Sequence, residues 1–458
     1  MSAERMLPAG PLIAFYGDDY TGSSAVMEIT AFAGLPTVLF LHTPTPAQLA
    51  QFADQRVIGI AGVARSQSPA WMDRNLPPVF ERLRSLNAPI AHYKVCSTFD
   101  SAPHVGSIGR AVEIGMPILG GAWQPMVVGE PGMGRYQAFG HLFALADGVG
   151  HILNEHPTMA RHPVTPMGDS NLCRHLAKQT AKQIGLVDFV TMKQGKADAR
   201  LASEIARGAE IIFLDVLDRE TLVEAGRLIW ENRGQRLFGI GSQGFEAALV
   251  AHWQAAGLLQ REPQRARASQ RSQIACVSGS VSPVTAGQIA FAIKNGFAPI
   301  RLDATRAVDA STTWERELAS VGDQALRALG DGHDPLVYTA AGPEDPAVHA
   351  LRTAIASAGV AVETVNDRIG AGLGQVLNRV VREARLSRGV ISGGDTSGHA
   401  ASALGIYALT AIAPIAAGSP LCRAHAVDTA LADFEIALKG GQVGAPDFFC
   451  AVKRGGTN

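Results

Sequence analysis

LIAFYGDDYTGSSAVMEITAFAGLPTVLFL, residues 12–41, is the stretch on which the fold class turns. Residues 12–16 are an apolar run that halts at Gly17, the pattern of a buried strand ending in a turn. Residues 23–33 are rich in helix formers and stop at Gly34, which suits a helix C-cap. Residues 37–41, TVLFL, form the next apolar run. Strand, helix and strand within about 30 residues is the length of a parallel crossover unit.

The alternation continues downstream. Strands are expected at 57–60, 92–95 and 211–215, and helices at 71–86, 105–114 and 219–232. A second series has strands at 274–277, 336–339, 390–392 and 435–438 and a helix at 285–295. This pattern calls for α/β architecture, with mainly parallel sheets flanked by helices. Between the two series lies QREPQRARASQRSQ, residues 260–273, polar, basic and almost free of large apolar side chains. It reads as a linker, with a surface helix and loop as the alternative. The chain therefore divides into two α/β domains, 1–262 and 274–458, joined by 263–273, with an active site expected in the cleft between them.

Composition narrows the function classes. Hydrophobic residues make up 47% of 458 and charged residues 18%, which describes an ordered globular chain. Forty Lys and Arg against 41 Asp and Glu give a net charge of −1, without the basic excess of a nucleic-acid binder. Cys96, Cys173, Cys276, Cys422 and Cys450 form no CxxC pair and suit free thiols in a reducing compartment. No signal peptide is expected from residues 1–10, and no apolar run reaches the roughly 18 residues of a membrane span, so the cytoplasm is the expected location. His141, His151, His156 and His162 crowd one window, but their spacing fits no zinc pattern. Oligomeric state is left open, a homo-oligomer included.

In an open parallel sheet, ligands bind beyond the carboxyl ends of the strands. After the first strand comes GDDYTG, with Asp18 and Asp19. After the strand at 57–60 comes Arg65, and around the end of 92–95 come Lys94, Ser97, Thr98 and Asp100. This mixture suits a small polyhydroxylated anion: Arg65 and Lys94 for a carboxylate, the aspartates for hydroxyls. Taken singly, Asp18 and Asp19 serve equally well as helix caps. The second half carries glycine turns in CVSGSVSPVT (276–285), SGGDTSGHA (392–400) and LKGGQVG (438–444). None matches GxxxxGK[ST] or GxGxxG. Three such turns at strand ends in one domain still favour a nucleotide phosphate over tight packing alone.

Together with ARS around Arg65, YKVCSTFDS, GRYQAFGHLFA (134–144) and HPVTPMGDSNLCRHLAKQT (162–180), these motifs resemble the four-carbon acid sugar kinase family along nearly the whole chain. The resemblance implies an N-terminal domain that binds a sugar acid and a C-terminal domain that binds ATP. It places Asp18, Asp19, Arg65, Lys94, Ser97, Thr98 and Asp100 in the acid site, with Gly134 and Arg135 on its border. It places Ser280, Ser282, Gly393, Gly394, Asp395, Thr396 and Gly440 in the ATP site. STFD points to the branch acting on 3-oxo-tetronates, while SAPHVGS and GRYQAFG depart from it and admit a branched 3-oxo-isoapionate-type acid.

The expected reaction is phosphorylation of a terminal hydroxyl, oriented by Asp19 or, next, Asp100, with Mg²⁺ on the phosphates and Asp395 holding it directly or through water. Closure of the two halves is expected to exclude water. An NAD(P)-dependent oxidoreductase of a small hydroxy acid and a non-catalytic sugar-acid-binding protein are the alternatives. No nucleic-acid or membrane partner is expected.

Overall fold

A computed structural model of the chain describes residues 6–146, 148–162, 164–260, 267–309 and 312–456. The chain falls into two compact units, 1–263 and 264–458.

The first unit contains β1 (Ile13–Gly17), β2 (Thr37–Phe40), β3 (Val57–Ala61), β4 (Ile90–Lys94), β5 (Gln124–Val127), β6 (Arg135–Ala138), β7 (His141–Ala146), β8 (Val149–Ile152), β9 (Ile184–Val187), β10 (Ile211–Leu214) and β11 (Leu237–Gly241). Eight of these form a parallel sheet in the order β2-β3-β1-β4-β11-β5-β10-β9. β6, β7 and β8 make a separate antiparallel sheet. In β1 to β4 every residue is buried, because helices cover both sheet faces and leave no polar side for alternation. Tyr16 stacks on Tyr93 at 5.9 Å, and Phe80 meets both rings edge-on from the helix Pro69–Ser85.

The second unit contains β12 (Ala275–Ser278), β13 (Phe297–Arg301), β14 (Asp334–Tyr338), β15 (Arg388–Ser392), β16 (Ile406–Ala416), β17 (Ser419–Ala426) and β18 (Glu435–Lys439). Five run parallel in the order β13-β14-β12-β15-β18, and β17 and β16 follow antiparallel.

In each sheet two neighbouring strands send the chain in opposite directions. From β1 the chain crosses toward β2 on one side, and from β4 it leaves toward β5 on the other. From β12 it crosses toward β13, and from β15 toward β16, again in opposite directions. At such points the loops part and leave a crevice over the carboxyl ends of two neighbouring strands.

The expected elements are present with shifted ends. The first helix starts at Tyr20 rather than residue 23, because Asp19 caps it and accepts the Gly22 N–H at 2.9 Å. The helix expected at 105–114 occupies Ile108–Leu119, capped by Ser107 and tolerating Pro117. Gly34 follows the first helix with φ +92°, the left-handed geometry expected of a helix end. Within 260–273, residues 261–266 lie outside the described residues. The described part is tied to the second unit: Ala268 N–H donates to Gly455 O at 3.0 Å and Arg271 N–H to Lys453 O at 3.0 Å. Among the described residues no helix is long and apolar enough to cross a membrane.

Candidate active site

In the first unit the crevice between β1 and β4 gathers Asp18, Asp19, Arg65 and Lys94. The strands bring them together directly, since Asp18 N–H donates to Lys94 O and Arg65 N–H to Asp18 O, at 3.0 and 3.1 Å. The Arg65 guanidinium bridges both carboxylates. Its Nε and Nη2 reach Asp18 at 3.3 and 2.7 Å, and its Nη1 and Nη2 reach Asp19 at 2.9 and 2.8 Å. Lys94 Nζ lies 3.8 Å from Asp19 Oδ1. Asp19 both caps a helix and joins the charge cluster.

Burial pushes the Asp18 carboxyl up, against the pull of Arg65. Burial also opposes the Asp19 charge, but Arg65 and Lys94 outweigh it and hold Asp19 below the usual carboxylate range. Asp19 is thus held in its ionised form, able to accept hydrogen bonds. The Arg65 guanidinium is engaged with both aspartates.

The loop after β4 supplies the remaining residues. Thr98 Oγ1 donates to Asp100 Oδ1 at 2.8 Å and contacts Cys96 Sγ at 3.0 Å, while Ser97 is half-buried in the same turn. Arg65, Lys94 and Asp100 all act electrostatically on Cys96, as Cys96 and Asp100 do on Arg135. Arg135 is thus within electrostatic range of the loop after β4. Gly134, at φ +67°, turns the chain into β6 just before it.

Asp215 is the last residue of the expected strand 211–215 and had no role assigned from the sequence. Asp215 is fully buried and pins the β6–β7 turn, accepting from Phe139 N–H at 2.5 Å, Gly140 N–H at 3.0 Å and Gln137 Nε2 at 3.3 Å. It also accepts the Phe189 N–H at 3.2 Å. Burial, partly offset by these donors, raises its pKa to about 6. An acid closing a strand at the ligand-binding edge was the available signal. The nearby histidines have ordinary partners: His141 Nδ1 meets Ser170 Oγ at 2.8 Å, and His156 Nδ1 accepts from Thr158 N–H at 3.2 Å.

In the second unit the three glycine turns converge at the ends of β12, β15 and β18. Gly279 N–H donates to Ser392 O and Gly393 N–H to Lys439 O, at 3.0 and 2.8 Å, so the turns leave the sheet side by side. They pack too closely for side chains. A Cβ on Gly279 would sit 2.4 Å from Thr396 Oγ1, and one on Gly441 3.0 Å from Ser280 Oγ. Ser282 caps the helix Pro283–Lys294 by accepting from Val284 and Thr285 N–H, and its hydroxyl donates to Gly441 O at 2.6 Å. Ser280 Oγ lies 3.0 Å from Thr285 Oγ1. Gly394 and Thr396 open the helix Gly394–Ala403; the side chain of Asp395 lies outside what the structure describes.

Lys439 is the residue that sequence reasoning left without a role here. Its ammonium is fully buried and donates to Thr285 Oγ1 at 3.0 Å and to Gly440 O at 2.9 Å. Burial pushes it down to about 8. Its bond to Gly440 O, with those of Ser282 and Thr285 to Gly441 O, turns these carbonyls inward. In a trans peptide the N–H points opposite to the carbonyl, so the Gly441 and Gln442 N–H groups face the other way, as a phosphate cradle requires.

The family models match both units: a sugar-binding N-terminal domain over residues 13–249 and a nucleotide-binding C-terminal domain over 275–449. The chain is 48% identical over 448 residues to a 3-oxo-isoapionate kinase of Paraburkholderia graminis, covering 98% of this chain and 95% of that one. It is 31% identical to a 3-oxo-tetronate kinase of Methylobacterium radiotolerans, covering 94% and 96%. In fold it is similar to a Salmonella typhimurium LT2 protein of known structure, with TM-score 0.78 at 24% identity over 97% and 99% of the two chains. A Haemophilus influenzae protein gives TM-score 0.71 at 23% identity over 95% and 98%. The likeness to kinases favours neither an oxidoreductase nor a non-catalytic binding protein. The chain is a sugar-acid kinase that uses ATP, and it belongs to the four-carbon acid sugar kinase family.

Proposed function

We propose that this kinase phosphorylates a terminal hydroxyl of a branched 3-oxo sugar acid, 3-oxo-isoapionate first and a 3-oxo-tetronate second. What supports the branched acid is the 48% identity to a 3-oxo-isoapionate kinase, against 31% to a 3-oxo-tetronate kinase. What carries the division of labour is the contrast between the two crevices. One holds paired aspartates and cations, the chemistry of a hydroxy-acid. The other offers close-packed glycine turns, hydroxyls and helix starts, the chemistry of phosphates.

The first unit, with Asp18, Asp19, Arg65, Lys94, Ser97, Thr98, Asp100, Gly134 and Arg135, binds the acid. The second, with Ser280, Ser282, Gly393, Gly394, Asp395, Thr396 and Gly440, binds ATP. Phosphoryl transfer passes through a loose transition state and asks the protein chiefly for positioning and charge. Asp19 accepts the hydrogen bond of the reacting hydroxyl and aims it, and Asp100 is the second candidate for that role. Backbone N–H groups of the glycine turns stabilise the charge on the phosphates. Mg²⁺ favours oxygen ligands, and Asp395 would hold it directly or through water; the ion would supply charge neutralisation. A cytoplasmic location, where ATP is at hand, goes with this reading.

A coupled ADP-release screen over tetronates, 3-oxo-tetronates and branched 3-oxo acids tests it. The expected result is a kcat/KM for 3-oxo-isoapionate at least about tenfold above that for any unbranched acid, a difference of about 1.4 kcal/mol in transition-state binding. An unbranched acid turned over as well as or better than 3-oxo-isoapionate, or no ADP release with any of the acids, rejects the proposal.

A further inference from the structure

The acid site contains three cations, and their bonding states differ. Arg65 has contacts of 2.7–3.3 Å to both Asp18 and Asp19. Lys94 is buried with its Nζ 3.8 Å from Asp19. Arg135 has neither arrangement. Its Nε is buried without a hydrogen-bond partner, and its Nη1 reaches only the carbonyls of Met133 and Gly134, at 3.3 and 3.2 Å. Among the described residues no carboxylate forms an ion pair with it. Glu130 is its backbone partner across the bridge, through N–H to O contacts of 2.8 and 3.1 Å, yet Glu130 Oε2 is itself unpartnered. Asp100, Cys96 and His156 are the other titratable groups that act on Arg135, and none bonds to it.

A guanidinium partly drawn from water without a direct ion pair is unfavourable, and burial pushes its pKa down against the pull of Cys96, Glu130 and Asp100. Its planar fork matches a carboxylate in two parallel bonds. We propose that Arg135, not Arg65, grips the carboxylate of the sugar acid, and that Arg65 is an internal brace that fixes Asp18 and Asp19. The inference rests on the acid-site reading given above and names which group of the substrate Arg135 meets. The hairpin aims Arg135. Gly134 at φ +67° immediately precedes β6, Arg135 pairs with Ala144 on β7, and Asp215 holds the Phe139–Gly140 turn at the far end of β6.

The test compares 3-oxo-isoapionate with its uncharged methyl ester, by calorimetry without nucleotide and by steady-state kinetics. Wild type is expected to bind the acid about a hundredfold more tightly than the ester. Arg135→Gln is expected to weaken the acid about a hundredfold and to erase the preference, with the KM for ATP within about twofold of wild type. Arg135→Lys retains charge but not the fork and falls between the two; it decides the matter if Arg135→Gln does not fold. Added guanidinium ion restores part of the activity lost in Arg135→Gln, which a purely structural defect does not allow. An Arg135→Gln enzyme that still prefers acid to ester by the wild-type factor overturns the inference and leaves the kinase reading intact. A wild-type chain that binds neither compound removes both.

Discussion

At the scale of single residues, Gly22 and Asp215 carry the sharpest expectations. Gly22 lies within a helix, where alanine normally gains stability. Here a Cβ would stand 1.8 Å from Lys94 Nζ and 2.4 Å from Asp19 Oδ1. Gly22→Ala is therefore expected to destabilise the chain by about 1–3 kcal/mol in denaturant melts and to raise the KM for the acid, while ATP kinetics hold. Asp215 behaves differently. Its folded pKa of about 6 lies above the ordinary 3.8, so it favours the folded state fully only below about pH 4, and that contribution is lost as the pH rises through 6. Asp215→Asn has no such titration. Wild type should gain about 1 kcal/mol on Asp215→Asn between pH 7 and pH 5, and a constant difference across that range denies the assignment. Residue identity announced some of this. Asp18, Asp19 and Arg65 were legible as a charged set beyond two strand ends. That Arg65 faces the aspartates while Arg135 has no ion pair among the described residues was not legible, because partner choice among charges depends on distances that spacing along the chain does not encode.

At the scale of elements, the nucleotide side depends on how the start of the helix Pro283–Lys294 meets the Gly440–Gly441 turn. Ser282 serves both, as cap and as donor to Gly441 O. Ser282→Ala is expected to cost about 1 kcal/mol in stability from the cap and to raise the KM for ATP several-fold, since the turn loses one of its ties. An unchanged KM detaches this helix start from nucleotide binding. The crossover elements were readable because apolar runs, glycine stops and helix formers are local signals. The β16–β17 hairpin was not, since IYALTAIAPIA lacks the polar-apolar alternation that marks an antiparallel pair. The β6–β7 turn also escaped notice. Phe139 adopts φ +51° there, a conformation the sequence gives no reason to expect of phenylalanine, and Asp215 holds its N–H from a distant strand.

At the scale of the whole molecule, the two units make separable predictions for hydrogen exchange in the intact chain. A non-hydrolysable ATP analogue should protect residues 279–285, 393–397 and 440–443, and the sugar acid 18–22, 94–100 and 134–138. Protection of the first unit by the analogue alone reverses the assigned roles. The alternation of strands and helices already determined two α/β series and the motifs at their strand ends, because period, turn residues and chain order are written locally. Strand order across each sheet was decided only by tertiary packing. That order puts β1 beside β4 and β12 beside β15, so residues far apart in sequence share one crevice. Pairing of parallel strands joined by long crossovers is a non-local choice, settled by which apolar faces bury together, and no window of sequence contains it.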